Sequence, residues 1–259
     1  NMGTIQTKGW ELAIDYRHTF KNGLHFGVTA SVADDKTEVT KWTYNTKIPS
    51  YGATGWWDKS AYKEGMVLGD IWGLQFDRFL TEDDFNADGS LKAGLPDQTK
   101  VFPAGYQFAP GDVLYKDLDN NGEIVKQTNT NDKGDLSVIG NALPRLQFGL
   151  NLDAAWKGFD ISMFFQGVAK RKLWAAGNQV LPGFTTGEPF YKGAEDYWTP
   201  ENTDAFYPRP MDYKQSASGN YSVNDRYLLN MAYLRLKTFT VGYSLPKVWL
   251  SKFKVQGLR

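Results

Sequence analysis

One stretch of the chain alternates so regularly that few folds can hold it. Between Pro144 and Gly167, Leu146, Phe148, Leu150, Leu152, Ala154 and Trp156 take every second position, with Gln147, Gly149, Asn151, Asp153 and Ala155 between them. After Lys157-Gly158 the alternation restarts, Phe159, Ile161, Met163 and Phe165 against Asp160, Ser162, Phe164 and Gln166. Successive side chains of a strand point to opposite faces, so this pattern predicts a hairpin with one apolar face and one polar or small face. A sandwich strand alternates too. The arms are about ten residues long, however, the length a tilted strand needs to cross a bilayer. The reading is a transmembrane barrel wall.

The same signature opens the chain. Trp10, Leu12, Ile14, Tyr16, His18 and Phe20 alternate with Glu11, Ala13, Asp15, Arg17 and Thr19. Asn22-Gly23 supplies residues that tolerate positive φ in a hairpin turn. The return strand sets Leu24, Phe26, Val28, Ala30 and Val32 against His25, Gly27, Thr29, Ser31 and Ala33. Glu, Asp and Arg on one face are costly in a dry core and cheap against a water-filled lumen. That contrast favours a barrel over a sandwich.

Composition narrows the class further. Mean hydropathy is −0.48, and no run approaches the roughly 18 apolar residues of a membrane helix, which leaves strands as the only way to span. Nine Trp and fourteen Tyr suit aromatic girdles or sugar-stacking surfaces. Twenty-nine basic residues balance twenty-nine acidic ones, so there is no electrostatic case for nucleic acid. The absence of cysteine excludes a disulfide scaffold and a thiolate metal site. The chain opens Asn-Met-Gly without the charged and apolar segments of a signal peptide, so an export address is expected upstream.

Along the chain, hairpins at about 10–33, 145–167 and 233–259 are separated by long segments, 34–143 and 168–226. In the third, apolar parity changes between Leu236 and Phe239, which predicts a bulge near Lys237-Thr238. The tight connections Asn22-Gly23, Lys157-Gly158 and Pro246-Lys247 can share one end of a barrel, with both long segments at the other. Outer-membrane barrels have this asymmetry of short periplasmic turns and long external loops. The parity allows an even number of further strands inside 34–143. Six strands do not close a membrane barrel, for which about eight is the minimum, and an open edge in lipid leaves backbone groups unpaired. A larger polypeptide is expected.

Several spaced motifs then carry a family resemblance. They are Pro110-Gly111-Asp112-Val113-Leu114-Tyr115-Lys116-Asp117-Leu118-Asp119-Asn120-Asn121-Gly122-Glu123-Ile124 and Val138-Ile139-Gly140-Asn141-Ala142-Leu143-Pro144. Lys8-Gly9-Trp10-Glu11-Leu12, Tyr62-Lys63-Glu64-Gly65 with Trp72-Gly73, Lys157-Gly158-Phe159-Asp160 with Phe164-Phe165-Gln166-Gly167, and Tyr233-Leu234-Arg235-Leu236-Lys237 with Val241-Gly242-Tyr243-Ser244-Leu245-Pro246 agree in the same order. In these the chain resembles the C-terminal half of SusC/RagA-type TonB-dependent transporters. The resemblance implies that 1–259 is the C-terminal part of a plugged barrel of about 22 strands. It further implies a SusD-like surface lipoprotein as lid, energy from TonB, and import of oligosaccharides or peptides across a Bacteroidetes-type outer membrane. The plug domain, the TonB-contacting segment and the closing strand of the family have no counterpart here. A secreted all-β glycan-binding or adhesion module is the alternative.

Two loops have the spacing of a calcium site. Asp117, Asp119 and Asn121 with Gly122 and Ile124 match the front half of such a loop, and Asp84, Asn86 and Asp88 with Gly89 and Leu91 repeat it. Oxygen ligands at alternate positions before a glycine are what calcium needs. The twelfth-position Glu is missing from both, where Thr128 and Leu95 stand, and Asp132 or Asp135 would have to complete the first. The alternative is an Asx turn. No nucleophile, metal-hydrolase or phosphate-loop motif occurs, and Asp34-Asp35 and Asp83-Asp84 are adjacent pairs that diverge, so no enzyme is expected. Of the two histidines, His18 on the apolar face reads as an interfacial residue. Trp56, Trp57, Trp72, Trp174, Tyr197 and Trp198 are the candidates for ligand contact, since sugar and peptide groups stack on aromatic faces. Their alternative role is to fill the interior of ordered loops or to meet a lid.

Overall fold

The computed structural model describes residues 3–43, 62–126, 133–175, 177, 179–183, 191–211, 219–250 and 256–259. Its strands are β1 (Gly3–Thr19), β2 (His25–Trp42), β3 (Asp70–Gly73), β4 (Phe76–Phe79), β5 (Val113–Tyr115), β6 (Ser137–Asn141), β7 (Arg145–Trp156), β8 (Phe159–Lys170), β9 (Lys172–Leu173), β10 (Leu229–Asn230) and β11 (Tyr233–Tyr243). One short helix, α1 (Lys247–Leu250), follows. Two compact units result: a sheet unit of Thr7–Thr37, Pro144–Arg171 and Asn230–Arg259, and a loop unit of Asn1–Gln6, Glu38–Leu143 and Lys172–Leu229.

The sheet unit is built on five strands in the order β1-β2-β7-β8-β11, antiparallel from β2 onward. Its register stacks the apolar positions into rows. Val32, Phe148, Gly167 and Leu234 form one row, and Ala30, Leu150, Phe165 and Leu236 the next. Val28, Leu152, Met163 and Phe239 follow, then Phe26, Ala154, Ile161 and Val241. Opposed residues share a face, so one face is apolar from β2 across to β11. The rows stay in line only because the register shifts between Leu236 and Thr238. The extra residue is Lys237, and a bulge there returns Phe239 to the apolar side. Gly167 also serves this face, since a Cβ there would lie 2.2 Å from the Phe148 ring.

Turn chemistry sets the register. Lys157 and Gly158 have φ of +48° and +89°, the two left-handed positions of a type I′ hairpin. The first turn closes with the Gly23 N–H donating to the Phe20 carbonyl at 2.9 Å and the Phe20 N–H to the Leu24 carbonyl at 2.8 Å. At 17 and 18 residues, β1 and β2 outrun the alternating stretch by which they were recognised. Their outer ends are mostly polar, with Thr7 and Thr37 hydroxyls 2.8 Å apart, although Val39 there is buried. The Pro246-Lys247 connection is a correction: it is no two-residue turn but leads into α1. Proline suits the start of a helical turn because its missing N–H would have had no partner there, and the Trp249 N–H donates to the Pro246 carbonyl at 2.9 Å. The strand expected near Phe253 lies outside the described residues.

The loop unit holds the four short strands β3 to β6 of the 34–143 segment, paired as β3-β6 and β4-β5. Leu74, Phe79, Val113, Tyr115, Ile124 and Trp198 contribute to one apolar cluster, and Ile71, Trp174, Leu181, Tyr221 and Tyr227 form another. With so little ladder, side chains must satisfy the backbone. Buried Gln98 donates to the Val113 carbonyl at 2.8 Å and accepts from the Tyr115 N–H at 3.2 Å. Asn220 accepts from the Val113 N–H at 2.8 Å, and Asn224 accepts from the N–H groups of Arg226 and Tyr227 at 3.0 and 3.3 Å. Asp112, wholly buried, accepts from the Arg209 guanidinium at 2.8 Å, the Tyr106 hydroxyl at 2.8 Å, the Asn220 amide at 3.0 Å and the Ala109 N–H at 2.9 Å.

Candidate functional site

The second face of the sheet carries the polar groups. Asp15 accepts from the Thr29 hydroxyl at 2.6 Å and pairs with Arg17 at 3.2 Å. His25 lies 3.1 Å from the Thr19 hydroxyl and 3.7 Å from Asp153. Further along β2, beyond the apolar rows, Asp34 is clamped by Arg145 at 2.5 and 2.6 Å. Small residues keep this face low. At Gly27 a Cβ would meet the Asp153 carboxylate at 2.5 Å, so only glycine leaves that carboxylate its place. Asp15 and Asp34 each have an arginine partner rather than standing alone, an arrangement that suits a wet surface.

The aromatic candidates divide by burial. Trp174 and Trp198 are only 2% and 6% exposed, each inside one of the loop-unit clusters, and for these two the interior role describes the structure. Trp198 lies so close to Gly111 that a Cβ there would stand 2.5 Å from its ring. Trp72 on β3 is half-buried against the first cluster, its indole N–H without a partner. Trp56 and Trp57 lie outside the described residues. Tyr197 is exposed and borders a cavity of about 420 Å³ with Tyr191, Lys192, Ala194, Glu195 and Pro210. Tyr191, also exposed, was missed in the sequence because no periodicity marks it.

At the Asp117 loop, carboxylate oxygens of Asp117, Asp119 and Asp135 all lie within 4.8 Å of one another. Asp117 accepts from the N–H groups of Gly122 and Asn121 at 2.8 and 3.3 Å, and the Gly122 bond, foremost, holds its carboxyl below the ordinary range. The Asp119 carboxyl is raised, first by desolvation and then by the charges of Asp135 and Asp117. The Asn121 side-chain oxygen accepts from the Glu123 N–H at 2.8 Å. Asp135, one of the two residues the sequence offered to complete the loop, is the third carboxylate, anchored by the N–H groups of Leu118 and Val125 at 2.8 and 2.7 Å. Three clustered carboxylates fit a hard divalent cation. The second loop does not assemble in this way. Asp84 is held by Arg78 at 2.6 and 2.8 Å and by the Thr81 N–H at 2.8 Å, while Asp88 accepts from Ser90. It is a turn.

No family model matches the chain. Among curated proteins, TonB-dependent receptor P3 of Formosa agariphila is 25% identical over 268 residues, taking in 100% of this chain and 24% of its own length. TonB-dependent receptor P26 of the same organism is 26% identical over 263 residues, 95% of this chain and 23% of its own length. The chain therefore spans about a quarter of the relatives it matches. Among solved structures, the RagAB peptide transporter superposes with a TM-score of 0.65 at 15% identity, over 99% of this chain and 24% of that one. The "closed-closed" state of the RagAB peptide importer gives 0.58 at 16%, over 96% and 24%. Motifs, sequence relatives and fold point the same way: the chain is similar in sequence to TonB-dependent receptors, and its all-β fold is that of a stretch of the RagAB peptide transporter.

Proposed function

We propose that this chain forms part of the wall and external loops of a Gram-negative outer-membrane transporter. In that reading the transporter is energised through TonB and imports oligosaccharides or peptides together with a SusD-like surface lipoprotein. One observation carries the membrane part of the reading: the sheet lines up apolar residues in unbroken rows and leaves their outer members, Leu234, Leu236, Phe239 and Val241, exposed. A face of that size is a liability in water and a requirement in lipid. The relatives are named as receptors and importers, not enzymes, in keeping with a transport role. Tyr197 and Tyr191, exposed beside one cavity, are assigned substrate contact in this reading. The Asp117 loop holds calcium through Asp117, Asp119 and Asp135 and stiffens an external segment.

The test uses the full-length protein. Affinity purification should recover a lipoprotein, and shortening the 191–211 segment should weaken both its capture and uptake of a defined peptide or glycan. Purification alone, with uptake untouched by the deletion, would overturn the partnership. Calcium should raise the loop's resistance to proteolysis, and Asp135→Asn should abolish that protection.

A further inference from the structure

The apolar face of the sheet ends, at its short-turn edge, in a row of aromatic residues. Trp156, Phe159 and Tyr243 occupy directly opposed positions, with the rings of Phe159 and Tyr243 4.4 Å apart. The Trp156 indole N–H donates to the Asn22 carbonyl at 3.2 Å, and the Lys157 ammonium sits 4.5 Å from the indole ring. An indole with its N–H satisfied on the polar side and a lysine reaching past it is the chemistry of a membrane–water boundary.

The chain leaves this row through Ser244-Leu245-Pro246 and forms α1. Its exit is pinned, because the Ser244 N–H donates to the Gly158 carbonyl at 2.8 Å and the Leu245 N–H to the Leu258 carbonyl at 3.0 Å. Within α1, Leu250 is buried while Val248 and Trp249 are 75% and 59% exposed. With Leu250 buried, the other two apolar side chains of the turn, Val248 and Trp249, are left exposed. Water gains nothing from that choice.

We infer that Val248 and Trp249 insert into the headgroup–acyl boundary of the leaflet on the short-turn side, making Pro246–Leu250 an interfacial anchor of the barrel. The inference rests on the reading of the sheet as a transmembrane wall. The occupant is lipid for two reasons. The exposed pair continues the aromatic row in which the lipid face ends, and Lys247 beside it offers a cation to anionic headgroups. A patch of two side chains is also far smaller than the roughly 800 Å² per partner of a stable protein interface.

Single cysteines at Val248, Leu150 and Lys21, in the full-length protein freed of other reactive thiols, carry a nitroxide label after reconstitution in bilayers. Accessibility to dissolved oxygen and to a water-soluble nickel chelate then reports depth. The label at 248 should sit between the other two, several-fold less accessible to the chelate than at 21 and less accessible to oxygen than at 150. A label at 248 as wet as that at 21, or shielded from both reagents, with 150 still in lipid, overturns the anchor and spares the wall. If 150 is also wet, the wall itself fails. Should the Val248→Cys protein not assemble, headgroup-proximal brominated lipid quenches the native tryptophans. The anchor requires that Trp249→Phe remove part of this quenching, and an unchanged quenched fraction overturns it.

Discussion

The sheet unit and the loop unit are both made of extended chain, yet they divide polar and apolar groups in opposite ways. In the sheet, ladders satisfy the backbone and large apolar side chains such as Leu234 and Phe239 are left outside. In the loop unit the apolar side chains go inside, and Asp112, Gln98, Asn220 and Asn224 follow them to complete backbone groups that have no ladder. The contrast teaches that burial follows the surrounding solvent rather than secondary structure. On the proposed reading, a wall that meets lipid needs no core of its own on that face, whereas loops in water must build one from few strands, with buried side chains completing the backbone's hydrogen bonds.

Substitutions at the two kinds of position should therefore behave differently. The largest effect is expected at Asp112. Asp112→Ala strands the Arg209 guanidinium and should cost the loop unit about 3–5 kcal/mol, read as lost amide-exchange protection in 98–115. Asp112→Leu with Arg209→Met should recover much of that loss, and a single variant that is nearly neutral would show that the buried polar network does not hold the unit together. Next comes the sheet. Leu150→Arg at mid-membrane should cost about 2–4 kcal/mol while Asn151→Arg, one residue along, is tolerated. Unfolding titrations in bilayers measure both, and equal costs would erase the distinction between the faces.

A smaller, pH-dependent effect belongs to Asp84. The Arg78 guanidinium, foremost, depresses its carboxyl to about 2, below the unfolded value of about 3.9. The pair therefore stabilises fully above about pH 4, and its contribution fades as pH falls through 2. Because Arg78 is 42% exposed, the contribution is about 1–2 kcal/mol. Asp84→Asn should lower stability at pH 7 and flatten the acid slope between pH 4 and 2; an unchanged slope would place the acid response elsewhere. The smallest effect is expected at Gly23, where φ is +80° and a Cβ would meet nothing within 4 Å. Gly23→Ala should cost only backbone strain, about 1 kcal/mol, and a larger loss would mean that the turn packs against something else in the assembled protein.

Legibility in the sequence follows the same division. Side chains in a strand repeat every two residues, so the apolar rows, the Lys157-Gly158 turn and the parity break that becomes the bulge at Lys237 can be read locally. The loop unit has no such period. Asp112 meets Arg209 and Val113 meets Asn220 across about a hundred residues, and nothing near either residue announces its partner. Tryptophan suits both a ligand and a core, and the distant packing that buries Trp174 and Trp198 leaves no local trace. In the Asp117 loop the spacing marks Asp117 and Asp119, whereas the approach of Asp135 to them follows from the chain's path and not from the motif.

The central claim is that the rows through Leu150 and Leu152 meet lipid. A structure of the full-length protein in a lipid nanodisc tests it most directly. The account predicts that Phe148, Leu150, Leu152, Ile161 and Phe239 lie within the bilayer density, with Asn151 and Asp153 turned toward the lumen. Protein packed over the Leu150 face, with Asn151 turned outward, would contradict it.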